Sequence, residues 1–490
     1  MKPEKDSMEL KDSSLKVGVR SFLMALGILL VLMIASGVMT KVLPAGQYDR
    51  TVEGSRTLII TGSYHPIPQP EYPFWRWFTA PVEILFNSGA VTLYTIILFL
   101  LFVGGSITIL ERIHVMDVLM DSLIKRFKDR KYLLMGIMIF VLMLLPSFLG
   151  VYEGLVPLII FIVPMAKRLG WDSLTGLGMS LLPMAFGMAS GVTNPFTVGV
   201  AQTIADLPLF SGAWLRLIFF VITYGFVYAF VAFYARKVEK DRNKSLSYQE
   251  DHFDTIDVDT ELSDKGIYSP KLYKSLSWFL VCISMAFAVI VGTGFIPQYS
   301  FLAFPLMGLM FVIGGIGAGL IAGYSLLKVG QIFLKGWQSM VPGVILILLA
   351  YSVKYIIDQG GITDTILYRS ATAIKGAPPS LSALLVYVMT LGMNFFIGSA
   401  SAKAFLMMPI LVPLADLVGI TRQTAVLAFG FGDGFSNMLF PTNPLLLIAL
   451  SLTVISYPKW FRWTLILQAF MAGLSILFLF IATSIGFGPF

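Results

Sequence analysis

Thr193-Asn194-Pro195 and Thr442-Asn443-Pro444 are two copies of one tripeptide, set 249 residues apart inside long apolar runs. Proline has no N–H and its ring clashes with the preceding turn, so each copy frees a carbonyl four residues upstream and breaks a helix that carries it. Gly191 before the first copy and Pro441 before the second loosen the chain further. Freed backbone groups are costly in hydrocarbon, so such a break persists only where it lines a cavity or meets a ligand. Unwound carbonyls can hold a cation, and half-helix N-termini face an anionic group.

Composition supplies the solvent. The 490 residues are 57% hydrophobic and 13% charged, against about 25% charged in soluble domains. Clear spans fall near residues 21–43, 89–110, 213–235, 275–296, 302–326, 339–357 and 463–487, each close to the roughly 20 apolar residues a crossing needs. The first is longer than a signal-peptide core and lacks a small-residue cleavage site, so it reads as a retained span. Cys282 stands alone and excludes an intramolecular disulfide; His65, His114 and His252 lie in polar connections and form no metal cluster. No P-loop signature occurs, so energy comes from a gradient or a partner. No cofactor and no nucleic acid is expected; a proton or sodium ion is the candidate coupling species.

Between the spans the chain changes character. Residues 1–20 form a charged head, expected in the cytoplasm, and the connection from Leu43 to Glu83 carries Tyr72-Pro73-Phe74-Trp75-Arg76-Trp77, aromatics suited to the headgroup layer. Apolar residues between Glu111 and Lys131 recur at helical spacing among charges, as in a helix on the membrane surface or a solvated connector. Residues 236–274 show no apolar periodicity and read as a flexible cytoplasmic loop. Two apolar blocks, Lys131–Arg168 and Ser380–Gly419, are too long for one span and are interrupted near Pro146–Gly154 and Gly398–Lys403. Each reads as a re-entrant hairpin, the alternative being a pair of short spans.

The tripeptides belong to a larger repeat. The same register lays Pro164 on Pro413, Gly170 on Gly419 and Trp214 on Trp463, and a shift of 248 lays Gly150 on Gly398. Each half, 21–235 and 297–490, then holds two spans, a hairpin, a broken span and a closing span, with 275–296 as an unpaired linking helix. One unpaired span reverses the second half. The expected fold is an all-α polytopic membrane protein, an inverted-repeat transporter with two re-entrant hairpins, two broken helices and about nine full spans. Most Lys and Arg then lie on the side of the N-terminus, which places that end in the cytoplasm.

Candidate binding residues follow from the breaks and the hairpin tips that should meet them. Thr193, Asn194, Pro195, Thr442, Asn443 and Pro444 offer hydroxyls, amides and freed carbonyls. The first tip adds Ser147, Tyr152 and Glu153; the second adds Asn394, Ser399, Ser401 and Lys403. Asp433 and Asn437 lie inside the second broken span, with Met184 as the apolar counterpart of Asp433. Ionisable residues at membrane depth are functional candidates, against a Glu153–Lys403 pair that merely pins the tips. Lys354 reaches the interface by snorkelling.

Phe431-Gly432-Asp433-Gly434-Phe435-Ser436-Asn437, Phe440-Pro441-Thr442-Asn443-Pro444 and Ser456-Tyr457-Pro458-Lys459-Trp460-Phe461-Arg462-Trp463 resemble the YfcC branch of the C4-dicarboxylate anaerobic carrier (DcuC-type) family. Pro44-Ala45-Gly46-Gln47-Tyr48 and Gly398-Ser399-Ala400-Ser401-Ala402-Lys403 fit as well. The resemblance covers nearly the whole chain. It implies the ion transporter superfamily: bacterial inner-membrane secondary carriers, commonly homodimers, with an elevator-like transport domain. Its sodium-coupled dicarboxylate members carry Ser-Asn-Thr at both hairpin tips. Neither tip here does, so Lys403 could stand where a cation would bind.

Glu153 and Asp433 favour a cationic or zwitterionic solute, since a buried carboxylate pairs an ammonium or guanidinium. The leading expectation is a basic amino acid antiporter of the arginine/ornithine type; the alternative is an ion-coupled carrier of C4-dicarboxylates or other carboxylates. A channel would need a continuous polar-lined span, and an enzyme a nucleophile–base pair at membrane depth. The expected partners are the small solute, the lipid bilayer and a second copy of the chain.

Overall fold

Long apolar helices satisfy their own backbone, and they dominate the computed structural model, which describes residues 19–53, 56–87, 90–127, 130–253, 269–294 and 303–488. The expected head over 1–20, the middle of the loop over 236–274 and the start of the second repeat fall largely or partly outside these residues. Among the described residues eight helices are long and apolar enough to cross a membrane.

The first half runs α1 (Val19–Val42), α2 (Arg76–Glu83), α3 (Ala90–Arg112) and α4 (Val115–Phe127), then α5 (Lys131–Leu149) and α6 (Ile159–Arg168) as the arms of one interrupted block. α7 (Ser173–Ser190) and α8 (Val200–Ile204) flank the first break, and α9 (Ala213–Lys240) and α10 (Tyr248–Phe253) follow. α11 (Pro270–Gly294) leads to α12 (Ala303–Ile321), α13 (Leu326–Gln359) and α14 (Thr363–Ile374). The second interrupted block is α15 (Pro379–Met393) and α16 (Ala400–Val418); α17 (Arg422–Ser436) and α18 (Pro444–Ser451) flank the second break, and α19 (Tyr457–Ser484) closes the chain.

Several expectations change. The span expected at 339–357 belongs to α13, which starts at Leu326 because the Ser325 hydroxyl caps it through Lys328 N–H. A second amphipathic helix, α14, occupies the place that α4 holds in the first half. The connection after α1 folds into two short antiparallel ribbons, one of them Arg50–Glu53 against Arg56–Ile59. Arg50 and the N–H of Tyr48 both reach Asp364 of α14, at 2.8 and 3.0 Å.

The loop expected to be flexible over 236–274 is ordered in its first part. Asp172, the N-cap of α7, accepts from Tyr234 at 2.7 Å, Ser245 at 2.7 Å and Ser247 at 3.2 Å. Asp251 accepts from the N–H of Ser173 at 3.1 Å, and Lys459 pairs with Glu250 at 2.5 Å. Apolar periodicity is blind to a segment held by hydroxyls and carboxylates.

The two broken helices form the centre. Every residue of α7 is buried, and so is α17 from Gln423 to Ser436. They cross where a Cβ on Gly434 would lie 2.1 Å from Cα of Ala189. Gly432 faces α15 closely as well, its added Cβ falling 2.6 Å from the Tyr387 carbonyl oxygen. The glycines around Asp433 therefore admit two neighbouring backbones.

Candidate functional site at the paired helix breaks

Both breaks are built in the same way. Asn194 and Asn443 sit in extended backbone just before Pro195 and Pro444, which open the following half-helices. The Asn194 side-chain oxygen accepts from the N–H groups of Phe196 (2.8 Å) and Thr197 (3.2 Å). Asn443 does the same for Leu445 (2.9 Å) and Leu446 (3.4 Å). These are N-caps, with proline at the first helical position, where its missing N–H costs nothing. The threonines also match: Thr193 Oγ1 donates to the Phe148 carbonyl at 3.0 Å and Thr442 Oγ1 to the Phe395 carbonyl at 2.7 Å. Each break is thus tied to the tip of its own interrupted block.

Ser147 is fully buried, and its hydroxyl and carbonyl oxygens accept from Val192 and Thr193 N–H at 3.2 Å. Asn194 Nδ2 donates to the Pro146 carbonyl at 3.1 Å, and Asn443 Nδ2 to Asn437 Oδ1 at 2.8 Å. Both amides, expected to offer donors and acceptors to a solute, take part in shaping the breaks. Ser399 caps α16 through Ala402 N–H, while Ser401 Oγ donates to the Phe196 carbonyl at 2.8 Å, joining the second tip to the first break.

The charged groups gather at the second break. Lys403 and Asp433 are both 0% exposed and pair at 2.5 Å. The Lys403 ammonium also donates to Asn394 Oδ1, and Asn394 Nδ2 bonds the Asp433 carbonyl (3.1 Å), Ser436 Oγ (2.6 Å) and Asn437 Oδ1 (3.2 Å). Lys403 is therefore held by Asp433, not by Glu153, and Asp433 by an ammonium, not by helix N-termini alone. Asp433 Oδ2 is buried with no hydrogen-bond partner.

Glu153 starts the turn after the first tip (Glu153–Leu158), keeps an exposed side chain, and pairs with no cation among the described residues. It interacts electrostatically with Asp433, Tyr152 and Tyr351. Tyr152 is buried with an unpartnered hydroxyl, as is Thr197. Buried polar atoms without partners are uncommon, since each loses its hydration uncompensated. Lys354 is exposed, as snorkelling requires.

Sequence reasoning missed Arg216 of α9, 1% exposed, which donates to the carbonyls of Val192, Phe210 and Ser211. The signal was available as an arginine inside an apolar run. It also missed Tyr457 and Trp460 as donors to the second break, and Tyr351 as a neighbour of Glu153.

The model of the C4-dicarboxylate anaerobic carrier family matches residues 22–484. A protein of Escherichia coli (strain K12) named "Putative basic amino acid antiporter YfcC" is 30% identical over 461 residues, covering 88% of this chain and 90% of that protein. An uncharacterized protein of Haemophilus influenzae (strain ATCC 51907 / DSM 11121 / KW20 / Rd) is 26% identical over 421 residues, 84% and 78% of the two chains. Among solved structures, the Alcanivorax borkumensis YdaH transporter aligns with 96% of this chain and all of its own at 17% identity and a TM-score of 0.41. Neisseria gonorrhoeae MtrF aligns over 95% of both chains, at 17% identity and a TM-score of 0.42. These two likenesses are too loose to carry an argument, whereas the family match takes in both interrupted blocks, both breaks and the polar cluster between them: the chain belongs to the C4-dicarboxylate anaerobic carrier family of multi-pass membrane transporters.

Proposed function

We propose that this transporter exchanges a basic amino acid of the arginine/ornithine type across the bacterial inner membrane, by secondary active, elevator-type alternating access. The observation that carries the choice of solute is the imbalance at the second break. Lys403 pairs with Asp433 through Oδ1 alone, Asp433 Oδ2 is buried without a hydrogen-bond partner, and Glu153 has no cationic partner among the described residues. A solute ammonium or guanidinium supplies the missing charge and hydrogen bonds. Tyr152 and the backbone at the breaks add neutral contacts. Ser147, Thr193, Asn194, Asn394, Ser399, Ser401, Asn437, Thr442 and Asn443 hold the tips and breaks in register around that space.

The similarity to a named basic amino acid antiporter supports the reading without fixing the solute. Two repeats, 21–235 and 297–490, in opposite membrane orientation about the linking helix account for the matched element order. The N-terminus lies in the cytoplasm, and the assembly is a homodimer. A proton or the counter-solute drives turnover.

The test is exchange in proteoliposomes loaded with unlabelled arginine. External labelled ornithine or arginine enters by saturable counterflow, and succinate does not compete. Asp433→Asn abolishes exchange while the protein remains folded by circular dichroism. Full exchange in Asp433→Asn would remove the cationic-solute assignment. Carriage of a C4-dicarboxylate is the second reading, favoured by the family description and by the unpartnered Arg216 Nη1; succinate counterflow identifies it.

A further inference from the structure

The first break holds a charge that the exchange reading leaves unused. In a continuous helix the Val192 carbonyl would accept the N–H of Phe196, but Asn194 Oδ1 has taken that N–H. The freed carbonyl accepts Arg216 Nε at 3.2 Å and Nη2 at 3.1 Å. Nη2 also reaches the carbonyls of Ser211 (3.0 Å) and Phe210 (3.3 Å), while Nη1 has no acceptor. Arg216 forms no ion pair with a carboxylate among the described residues. A buried guanidinium is thus held by backbone carbonyls alone, the ligand set an unwound membrane helix offers to a coupling cation.

The second break shows that closing such a break does not require a charge. Its freed carbonyls at Met438 and Leu439 accept from Trp460 Nε1 and Tyr457 Oη, both at 2.9 Å. In the repeat register the counterpart of Arg216 is Leu465. A buried, uncompensated charge is expensive to keep, and at the second break neutral donors reach carbonyls that the interrupted helix leaves free.

We propose that Arg216 is a tethered cation: its guanidinium occupies the carbonyl cage of the first break, where a free coupling cation would otherwise sit, and frees this half-site from sodium. Arg216 is a positioning residue, and only the transport consequence rests on the carrier reading. Removing it empties the cage, so the variant acquires an ion dependence that the parent chain lacks.

The experiment compares the full-length protein with Arg216→Ala and Arg216→Lys, in sodium or N-methylglucamine buffer, with and without dilute guanidinium. In the parent chain, exchange rate and melting temperature are the same in both buffers. Arg216→Ala loses on the order of tenfold or more in exchange rate, the worth of a charged hydrogen bond, and regains part of it with guanidinium or sodium. The melting temperature of the purified variant rises with the same ions, and not with urea at the same concentration. Arg216→Lys keeps a tethered charge and stays indifferent to sodium. A sodium requirement in the parent chain, or an Arg216→Ala variant that no ion restores or stabilises, overturns the proposal. If Arg216→Ala cannot be purified, a sodium-responsive Arg216→Lys overturns it and an indifferent one supports it. If no solute moves in any arm, the carrier reading fails while the melting data still decide the role of Arg216.

Discussion

The two breaks share a backbone plan and differ in where they put charge. Asparagine caps, prolines at the start of each half-helix and threonine ties to the tip of the same half recur in both. Around the first, a lone guanidinium sits on the freed Val192 carbonyl; around the second, Trp460 and Tyr457 donate to the carbonyls of Met438 and Leu439, and a Lys403–Asp433 pair lies beside them. The two breaks therefore share what opens the helix and differ in their polar contents. The shared part is a mechanical requirement of a break in lipid, which any such repeat must meet.

The largest expected effect comes from removing one member of the buried pair. Asp433→Ala leaves Lys403 buried without a counter-charge, and a loss of about 3–5 kcal/mol is expected, read as a fall in melting temperature and in yield of monodisperse protein. The double variant Lys403→Met/Asp433→Leu should recover most of that stability and no exchange. A double variant as unstable as Asp433→Ala would show that the pair is needed for packing.

The packing around Asp433 gives the next effect. Gly434→Ala places a Cβ against the backbone of Ala189, whereas a Cβ on Gly430 meets nothing within 4 Å. Overpacking of this kind costs about 1–3 kcal/mol, so Gly434→Ala should melt earlier than the parent chain and Gly430→Ala should not. Equal melting of the two would mean that α7 and α17 separate easily.

The asparagine caps come next. Asn194→Ala and Asn443→Ala should each cost roughly 1 kcal/mol, and by similar amounts, if the two caps are mechanically equivalent. Asn443→Ala also deprives Asn437 of a donor, so any excess belongs to the second break.

The smallest effect lies outside the membrane segments, where Arg168 at the end of α6 pairs with Asp117 and Asp121 of α4. Burial pushes the Asp117 carboxyl up, but hydrogen bonds from His114 and Arg168 and the Arg168 charge hold it below its usual range. A depressed carboxyl contributes stability above its unfolded pKa of about 3.9 and loses it as pH falls through the lower folded value. Arg168→Gln should flatten the acid side of the melting-temperature profile slightly, by the fraction of a kcal/mol typical of such pairs. An unchanged profile would remove this anchor from the account of the first block.

Much of the frame was legible. Pro195 and Pro444 announce breaks because proline acts locally, and apolar length announces helices because hydrocarbon permits little else. The glycines on either side of Asp433 drew no separate reading, because their reason, close approach of Ala189 and Tyr387, depends on neighbours far along the chain. Arg216 was overlooked because one charge in an apolar run reads as an irregularity until its acceptors are known. The ordered segment after α9 escaped because its anchors, Asp172 and Asp251, act through hydroxyls and carboxylates that carry no periodic signal.

A membrane-spanning chain, its helices, the positions of both breaks and the register that pairs them follow from composition and covalent geometry alone. Tertiary structure decided the partners. Lys403 could have met Glu153 or Asp433, and the asparagines could have faced solute or backbone; residues far apart in the chain settle such choices only when the tips and breaks come together. Charge is what makes those choices matter, because at low dielectric a buried ion is stable only beside the group that compensates it.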